Sequence, residues 1–527
     1  MATIESINPE TTAQASSDQA HVVAAIDVGS NSVRMVIAEV LPDGQIDVLE
    51  RLQRAVRLGQ DAFRRGRLGG QSMRAAVNIL QDYRQLLRLY HVERLRAVAT
   101  SAVREASNSD TFLDRVFMAT ALNVEVIGTS EESRLTVSAV RRAVGDALDI
   151  NCGVSLIADV GGGSTLLTQL DDGEIVTSHS LRLGSIRLQE WLSTGDEGPD
   201  RSAELLRHQV VNALKTAQSA LPLMNVSSFV AVGGDARFAA REVGCATDSN
   251  ELVTVSREDL DGLVRECAKH TPEELSRRHG LPFAEAETLN PALIIYQRLL
   301  QRTQAEQMIV SHVSMRDGLL LELARDVTGQ QDDDLLRGVV HSAEVLAEHY
   351  QVDHRHARDV ATLSMRLFDL LQPDHGLGAK ERLLLRVAAL LHEVGGFVSN
   401  RSHHKHSYYL IANSEIFGLN RDEIEIVAQV ARYHRRSQPK PSHSEYMALP
   451  RHRRVLVNKL SAILRLADAM ARGHDTTRSD LHFERQGDEL IVTAADPGEL
   501  LIEQRAIAAK GDLFEDVYGM KVRVEEG

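Results

Sequence analysis

Two α/β lobes in tandem, then an all-α domain, then a small α+β domain: three features of the 527-residue chain predict this fold class. First, one strand-turn-strand unit occurs twice, as VVAAIDVGSNSVRMVIAEVLPDGQIDVLE from Val22 and as GVSLIADVGGGSTLLTQLDDGEIVTSHS from Gly153. Each reads as strand, Asp-Val-Gly turn, strand, Asp-Gly turn, strand, because β-rich runs separated by Gly and Asp are hairpin signals. Second, each unit is succeeded by segments with apolar residues at helical spacing, among them MRAAVNILQDYRQLLRLYHV and AELLRHQVVNALKTAQSAL. Strands mixed with helices in this way give sheets covered by helices. Third, from TGQQDDDLLRG (residues 328–338) to about residue 475 nearly every segment carries the helical period.

In chain order, residues 1–20 read as a disordered tail, since MATIESINPETTAQASSDQA holds no Lys, no Arg and no apolar core. Residues 21–148 make the first lobe and 149–327 the second, whose strand SSFVAVGG precedes long helices. Residues 328–478 are the all-α domain. Residues 479–527, from DLHFERQGDELIVTA through KVRVEEG, return to strands around one helix.

Composition limits what these domains do. Hydrophobic residues make up 43% and charged residues 25%, the profile of a soluble globular protein. The net charge of -15 argues against general nucleic-acid coating, so any polyanion site is a local basic patch. Cys152, Cys245 and Cys267 lack paired spacing, which suggests neither a disulfide framework nor a cysteine zinc site and fits a reducing cytoplasm. No apolar run approaches the roughly 18 residues of a membrane span.

The chemistry concentrates in the turns. Consecutive small residues expose backbone N–H groups, and such a nest binds phosphate oxygens. GSNS (Gly29 to Ser32) and GGGST (Gly161 to Thr165) add hydroxyl or amide donors, and each follows a carboxylate, Asp27 or Asp159, suited to magnesium. Either turn alone is also a plain tight hairpin; the pairing favours a clamp on phosphates. A third turn, Gly233-Gly234, follows a strand and opens a helix whose amides suit an anion.

At these residues the chain resembles the exopolyphosphatase and guanosine pentaphosphate phosphatase family. AIDVGSNSVRMVIAEV, RLGQ, AVATSAVREASN, EVIGTSEESRL, ADVGGGST, LRLGSIRL and SMRDGLLLE carry the resemblance across residues 22–325. RVAALLHEVG, HHKHSYYLIANSEIFGLNRDE and ARYHRR match the longer members, which have an HD-like helical domain. The resemblance implies actin/hexokinase-like (ribonuclease H-like) lobes and a cytoplasmic hydrolase removing the terminal phosphate of inorganic polyphosphate with Mg2+, or alternatively the 5′ γ-phosphate of guanosine pentaphosphate. It implies that Glu132 activates the attacking water beside Asp159, and that Asp27 and Asp159 hold the metal. Arg104 would face the phosphates, with Ser30, Asn31, Ser32, Gly162, Gly163, Ser164 and Thr165 contacting them and Gly233 and Gly234 beside them. Read without the family, Thr129-x-x-Glu132 is a helix-capping pattern. The family carries Glu directly after GGGST, whereas this chain has Leu166, so a low-activity binding or regulatory protein is a third expectation.

HD phosphohydrolases hold metal through a His, a His-Asp pair and a later Asp. The matching positions are His356, His392 with Glu393, and Asp468, and the His-Glu pair favours a helical scaffold over a metal centre. The same domain carries a basic segment from Arg401 to Arg454. His404, Arg435 and Arg436 within it are expected to guide a phosphate chain electrostatically. Its histidines are expected to strengthen that binding as pH falls toward about 6. Pairing of two chains through the helical domain is a further expectation.

Overall fold

Strand β1 (His21–Val28) is buried on both faces over most of its length, which is why its sequence runs almost continuously apolar instead of alternating. The computed structural model describes residues 20–144, 152–192, 198–217, 221–246, 252–330, 333–435, 437–471, 481–494 and 501–526. The expected tail up to residue 19, the boundaries at 148/149 and 478/479, and Arg436 lie outside the described residues. The chain divides into two units, residues 1–333 and 334–527.

In the first unit, β1 is the middle strand of a sheet ordered β3 (Ile46–Ala55), β2 (Ser32–Val40), β1, β4 (Arg94–Ala99), β5 (Val124–Val126). β1, β2 and β3 pair antiparallel, while β4 runs parallel to β1. The second copy of the motif repeats the pattern. β6 (Val154–Val160), β7 (Thr165–Asp171) and β8 (Glu174–Leu181) pair antiparallel, and β9 (Ser228–Val232) runs parallel to β6. β10 (Cys245–Ala246), β11 (Val253–Ser256) and β12 (Gln307–Ser311) complete seven strands, so the order β8-β7-β6-β9-β12 mirrors β3-β2-β1-β4-β5.

Two helices change sides between these sheets. Helix Thr129–Val144 follows β5 yet packs against β7 and β8. Helix Met315–Thr328 follows β12 yet covers the first sheet, where Leu319 and Leu323 meet Val23, Ala25, Val36 and Val98. Ion pairs fasten the two helices together: Arg96 joins Glu131 to Glu322, and Arg134 bonds Glu322. The expected second lobe, ending at residue 327, therefore includes a helix that belongs to the first sheet. Sequence period shows which face of a helix is apolar but not which sheet receives it.

In the second unit, helices His354–Leu370, Ala379–Leu391, Arg421–Arg432 and Arg451–Met470 share one core with Leu391, Val427 and Ile463 fully buried. β13 (His482–Gln486), β14 (Glu489–Ala494) and β15 (Lys521–Glu526) form a three-stranded sheet. Leu490, Val492, Ile507 and Phe514 from this C-terminal part lie in the same core as the helices. The expected separate α+β domain is thus a continuation of the helical one, because so short a segment cannot bury a core alone. Among the described residues, no helix is long and apolar enough to cross a membrane.

Candidate active site

The two Asp-Val-Gly turns are built alike. Gly29 N–H donates to the Ser32 carbonyl at 3.0 Å, and Gly161 N–H to the Ser164 carbonyl at 2.9 Å. The hairpin registers then set Asp27 opposite Arg34 and Asp159 opposite Leu166. Residues directly opposite on antiparallel strands share a face of the sheet, so Arg34 and Leu166 point where the aspartates point. All four line one cleft of 510 Å³ between the two sheets' turns. Leu166 is 6% exposed and faces that cleft, not the apolar core on the far side of β7 where Leu167 packs.

The glycines of the second turn serve packing as much as anion binding. A Cβ on Gly163 would collide with Phe63 and Ser101, and one on Gly184 would collide with the Gly162 carbonyl. Arg187 Nε donates to the Gly163 carbonyl at 2.6 Å, so this turn is fixed from behind. Thr165 is fully buried, with its hydroxyl donating to the Leu183 carbonyl. Gly163 and Thr165, both expected as phosphate contacts, stand behind the cleft lining. Ser30, Asn31, Ser32, Gly162, Ser164, Gly233 and Gly234 do line it. Ser30 shares a hydrogen bond with Ser101 at 3.0 Å, and Asn31 Nδ2 donates to the Ala284 carbonyl at 2.8 Å, tying the first turn to helix Phe283–Leu300.

Glu132 stands in the first turn of helix Thr129–Val144 and lines the cleft. Its carboxylate is bonded to Arg104, which gives the side chain a partner in the cleft wall. Arg104 itself does not line the cleft; its guanidinium also donates to the Ile127 carbonyl at 2.7 Å. The expected phosphate-facing arginine is in this structure the partner of the expected base. Burial pushes the Glu132 carboxyl up to about 7 despite Arg104, with the charges of Asp27 and Asp159 adding to the rise. Asp159 is raised to about 6, again by burial first, against Arg237 and Arg34.

Among the cleft residues that escaped the sequence reading are Arg34, Asp235, Arg237 and Arg316. They come from β2, from the first turn of helix Gly234–Val243, and from the start of helix Met315–Thr328. Arg34 Nε and Arg237 Nη1 are buried without a hydrogen-bond partner among the described residues. Arg316 is brought down to about 10 by burial and by the like charge of Arg34, and Arg237 is lowered for the same two reasons. Burial raises Asp235 to about 7 against Arg34 and Arg237. Buried guanidinium groups that repel one another call for an anion between them. One signal was available in sequence: Arg34 follows Asp27 at the same interval as Leu166 follows Asp159.

Magnesium fits the acidic side of the cleft. Asp27 is 7% exposed; its Oδ2 is 3.4 Å from Arg316 Nη1, while its Oδ1 is buried without a partner among the described residues. A buried, unpaired carboxylate oxygen beside a second carboxylate is the donor set a hard dication completes.

In the second unit, His404 and Arg435 lie at the start of helix His403–Ala412 and just after helix Arg421–Arg432. The basic segment is not a free cationic face: Arg432 is 3.2 Å from Glu445, Arg453 is 2.7 Å from Asp422, and His434 is buried. Burial, then Arg435 and His403, pushes His404 down to about 4; His403 and His434 are also lowered, by burial first. For His403, His404 and His434 this direction opposes the expected gain in cationic charge as pH falls. Nearby, His356 Nε2 is 3.5 Å and His392 Nε2 3.9 Å from Asp468 Oδ1, and the Lys510 ammonium is bonded to Asp468 Oδ2.

Comparison with known proteins agrees with this architecture. Residues 36–326 match the Ppx/GppA phosphatase family, and residues 340–504 match Ppx/GppA phosphatase domain III. The guanosine-5'-triphosphate,3'-diphosphate pyrophosphatase of Vibrio parahaemolyticus is 25% identical over 476 residues, covering 89% of this chain and 91% of its own. The protein of the same name from Aliivibrio fischeri is 25% identical over 470 residues, covering 87% and 88%. The crystal structure of an exopolyphosphatase from Cytophaga hutchinsonii, 23% identical, covers 59% of this chain and 99% of its own with a TM-score of 0.52, and shares the fold of two actin/hexokinase-like lobes. The chain belongs to the Ppx/GppA phosphatase family, hydrolases that act on phosphoanhydride bonds.

Proposed function

We propose that the chain is a cytoplasmic exopolyphosphatase that removes the terminal phosphate of inorganic polyphosphate with Mg2+. The observation that carries this reading is the cleft itself, in which Arg34, Arg237 and Arg316 and two glycine-rich turns converge beside buried carboxylates. The arginines and the turn amides bind the anionic end of the chain. Glu132 orients a water and takes its proton as the water oxygen attacks the terminal phosphorus; the bond to the bridging oxygen breaks and the shortened chain departs with that oxygen. Asp27 and Asp159 would hold magnesium, which supplies charge neutralisation on the phosphoryl oxygens when bound. Arg104 positions Glu132 through their ion pair.

A second reading, hydrolysis of guanosine pentaphosphate at its 5′ γ-phosphate, is favoured by the names of the relatives that match 87–89% of this chain. Phosphate release from long-chain polyphosphate and from guanosine pentaphosphate, measured side by side on the full chain, decides between them: a higher kcat/KM on polyphosphate supports the first reading, the reverse the second. Slow release from both, with tight binding, supports the low-activity regulatory reading that Leu166 suggests. Arg435 and Arg436 are proposed to guide long chains by charge, with His404, beside Arg435, as a neutral hydrogen-bonding group. Deleting the second unit from residue 334 should then cost more activity on long polyphosphate than on short substrates, and equal loss on both would assign that unit to folding or to pairing of two chains.

A further inference from the structure

The helical unit contains a cluster that has the side chains of a metal centre but already holds a cation. Ligand atoms of His356, His392 and Glu393 lie within 4.8 Å of one another. His392 is fully buried, and its Nδ1 is 2.7 Å from the Ala389 carbonyl. That contact assigns the ring proton to Nδ1, so Nε2 presents its lone pair to the cluster, where it has no hydrogen-bond partner among the described residues. Asp468 Oδ1, near both histidines, is the anion that would complete a four-ligand set.

Asp468 is occupied, however. The Lys510 ammonium is bonded to its Oδ2, and both side chains are 4% exposed. Lys510 is the last residue of helix Leu501–Lys510. Fully buried Arg465, on the same helix as Asp468, fastens that end: its Nε donates to the Lys510 carbonyl at 3.2 Å and its Nη2 is 2.7 Å from Asp512. A divalent ion bound to Asp468 would share one carboxylate with a buried ammonium, and like charges at that separation repel strongly in a dry interior. The residues do not fit a metal while Lys510 is in place.

We propose that Lys510 is a resident cation, supplying on Asp468 the positive charge a divalent metal would otherwise bring, so that the His356–His392–Asp468 cluster is a metal-free structural centre anchoring helix Leu501–Lys510. The proposal is independent of which phosphate substrate the cleft takes.

The test uses the full chain with Asp27→Asn and Asp159→Asn in every sample, so that the cleft contributes no metal. Each protein is incubated with Zn2+ or Mn2+, dialysed, and its metal content measured by elemental analysis. The Lys510-containing chain should retain no stoichiometric metal. Lys510→Met should gain about one ion per chain, and adding His392→Gln should abolish the gain. A stoichiometric, His392-dependent ion in the Lys510-containing chain would overturn the proposal, as would a folded Lys510→Met chain that takes up none. Should Lys510→Met fail to fold, Lys510→Met/Asp468→Asn removes both charges and is expected to recover most of the lost melting temperature. No recovery would mean that the ammonium does not serve Asp468, and the proposal would fall.

Discussion

The cleft and the helical cluster each bury a carboxylate among cations, and they resolve the problem in opposite ways. In the helical cluster, burial alone would push Asp468 up, but its hydrogen bond with His356 and the charge of Lys510 hold it well below the usual carboxylate range. In the cleft, Glu132 and Asp159 are raised to about 7 and 6, although arginines stand nearby. Contact with a cation does not by itself separate them, since Glu132 is bonded to Arg104; the difference lies in the groups each centre leaves unmatched. Asp468 has its ammonium in contact, whereas Asp27 keeps a bare oxygen and Arg34 and Arg237 keep bare N–H groups. A centre whose charges are all matched stabilises a fold; one that leaves both signs partly unmatched is prepared for a metal and an anion from solution.

Breaking the closed centre should have the largest effect. Lys510→Met leaves Asp468 buried and unpaired, a change that typically costs about 3–5 kcal/mol, so the melting temperature measured by calorimetry should drop sharply while kcat/KM of the folded fraction changes little. A small drop would show that the pair is open to water.

Breaking the open centre should act on rate instead of stability. Glu132→Gln keeps the shape of the side chain but cannot accept the proton of water, and turnover should fall about 10²-fold or more with substrate binding preserved. Unchanged turnover would leave Glu132 a partner of Arg104 and nothing more.

Leu166→Glu sharpens the same comparison. Because Leu166 shares a face with Asp159 and lines the cleft, a carboxylate there adds a donor for magnesium beside Asp159, in a site that also holds Arg34, Arg237 and Arg316. Turnover at saturating magnesium should rise by about tenfold, with the melting temperature nearly unchanged, since the new charge reaches the cleft water. A large loss of stability without any gain in rate would place residue 166 in packing.

The smallest expected effect is on pH dependence. A carboxyl whose pKa is higher in the folded than in the unfolded chain binds its proton more tightly when folded. The stability from Glu132 and Asp159 is therefore fully present below their unfolded values of 4.5 and 3.8 and is lost as pH rises through about 7 and 6. In chelator, the melting temperature should decline between pH 5 and pH 8 more steeply for the parent than for Glu132→Gln. Magnesium should flatten the decline, because a dication favours the ionised acids. Identical slopes in both proteins would remove Glu132 from this account.

The sequence by itself determined the duplicated architecture. Two copies of strand, Asp-Val-Gly turn and strand fold into two sheets of matching strand order, because hairpin turns and strand period are local properties. It also determined which acids lie at the strand ends, and through family motifs it pointed to Glu132. Tertiary structure alone decided the rest. Arg34, Arg237 and Arg316 are 282 residues apart at their extremes in the chain, and only the folding of one sheet against the other brings them into a single cleft. Whether Leu166 faced the cleft or the core depended on strand register, since a one-residue slip would have reversed it. The histidine-rich stretch looked cationic in sequence, but burial, which no local pattern records, keeps His404 and His434 neutral. Lys510 reaches Asp468 from 42 residues away, and proximity of that kind belongs to the packed core and not to any motif.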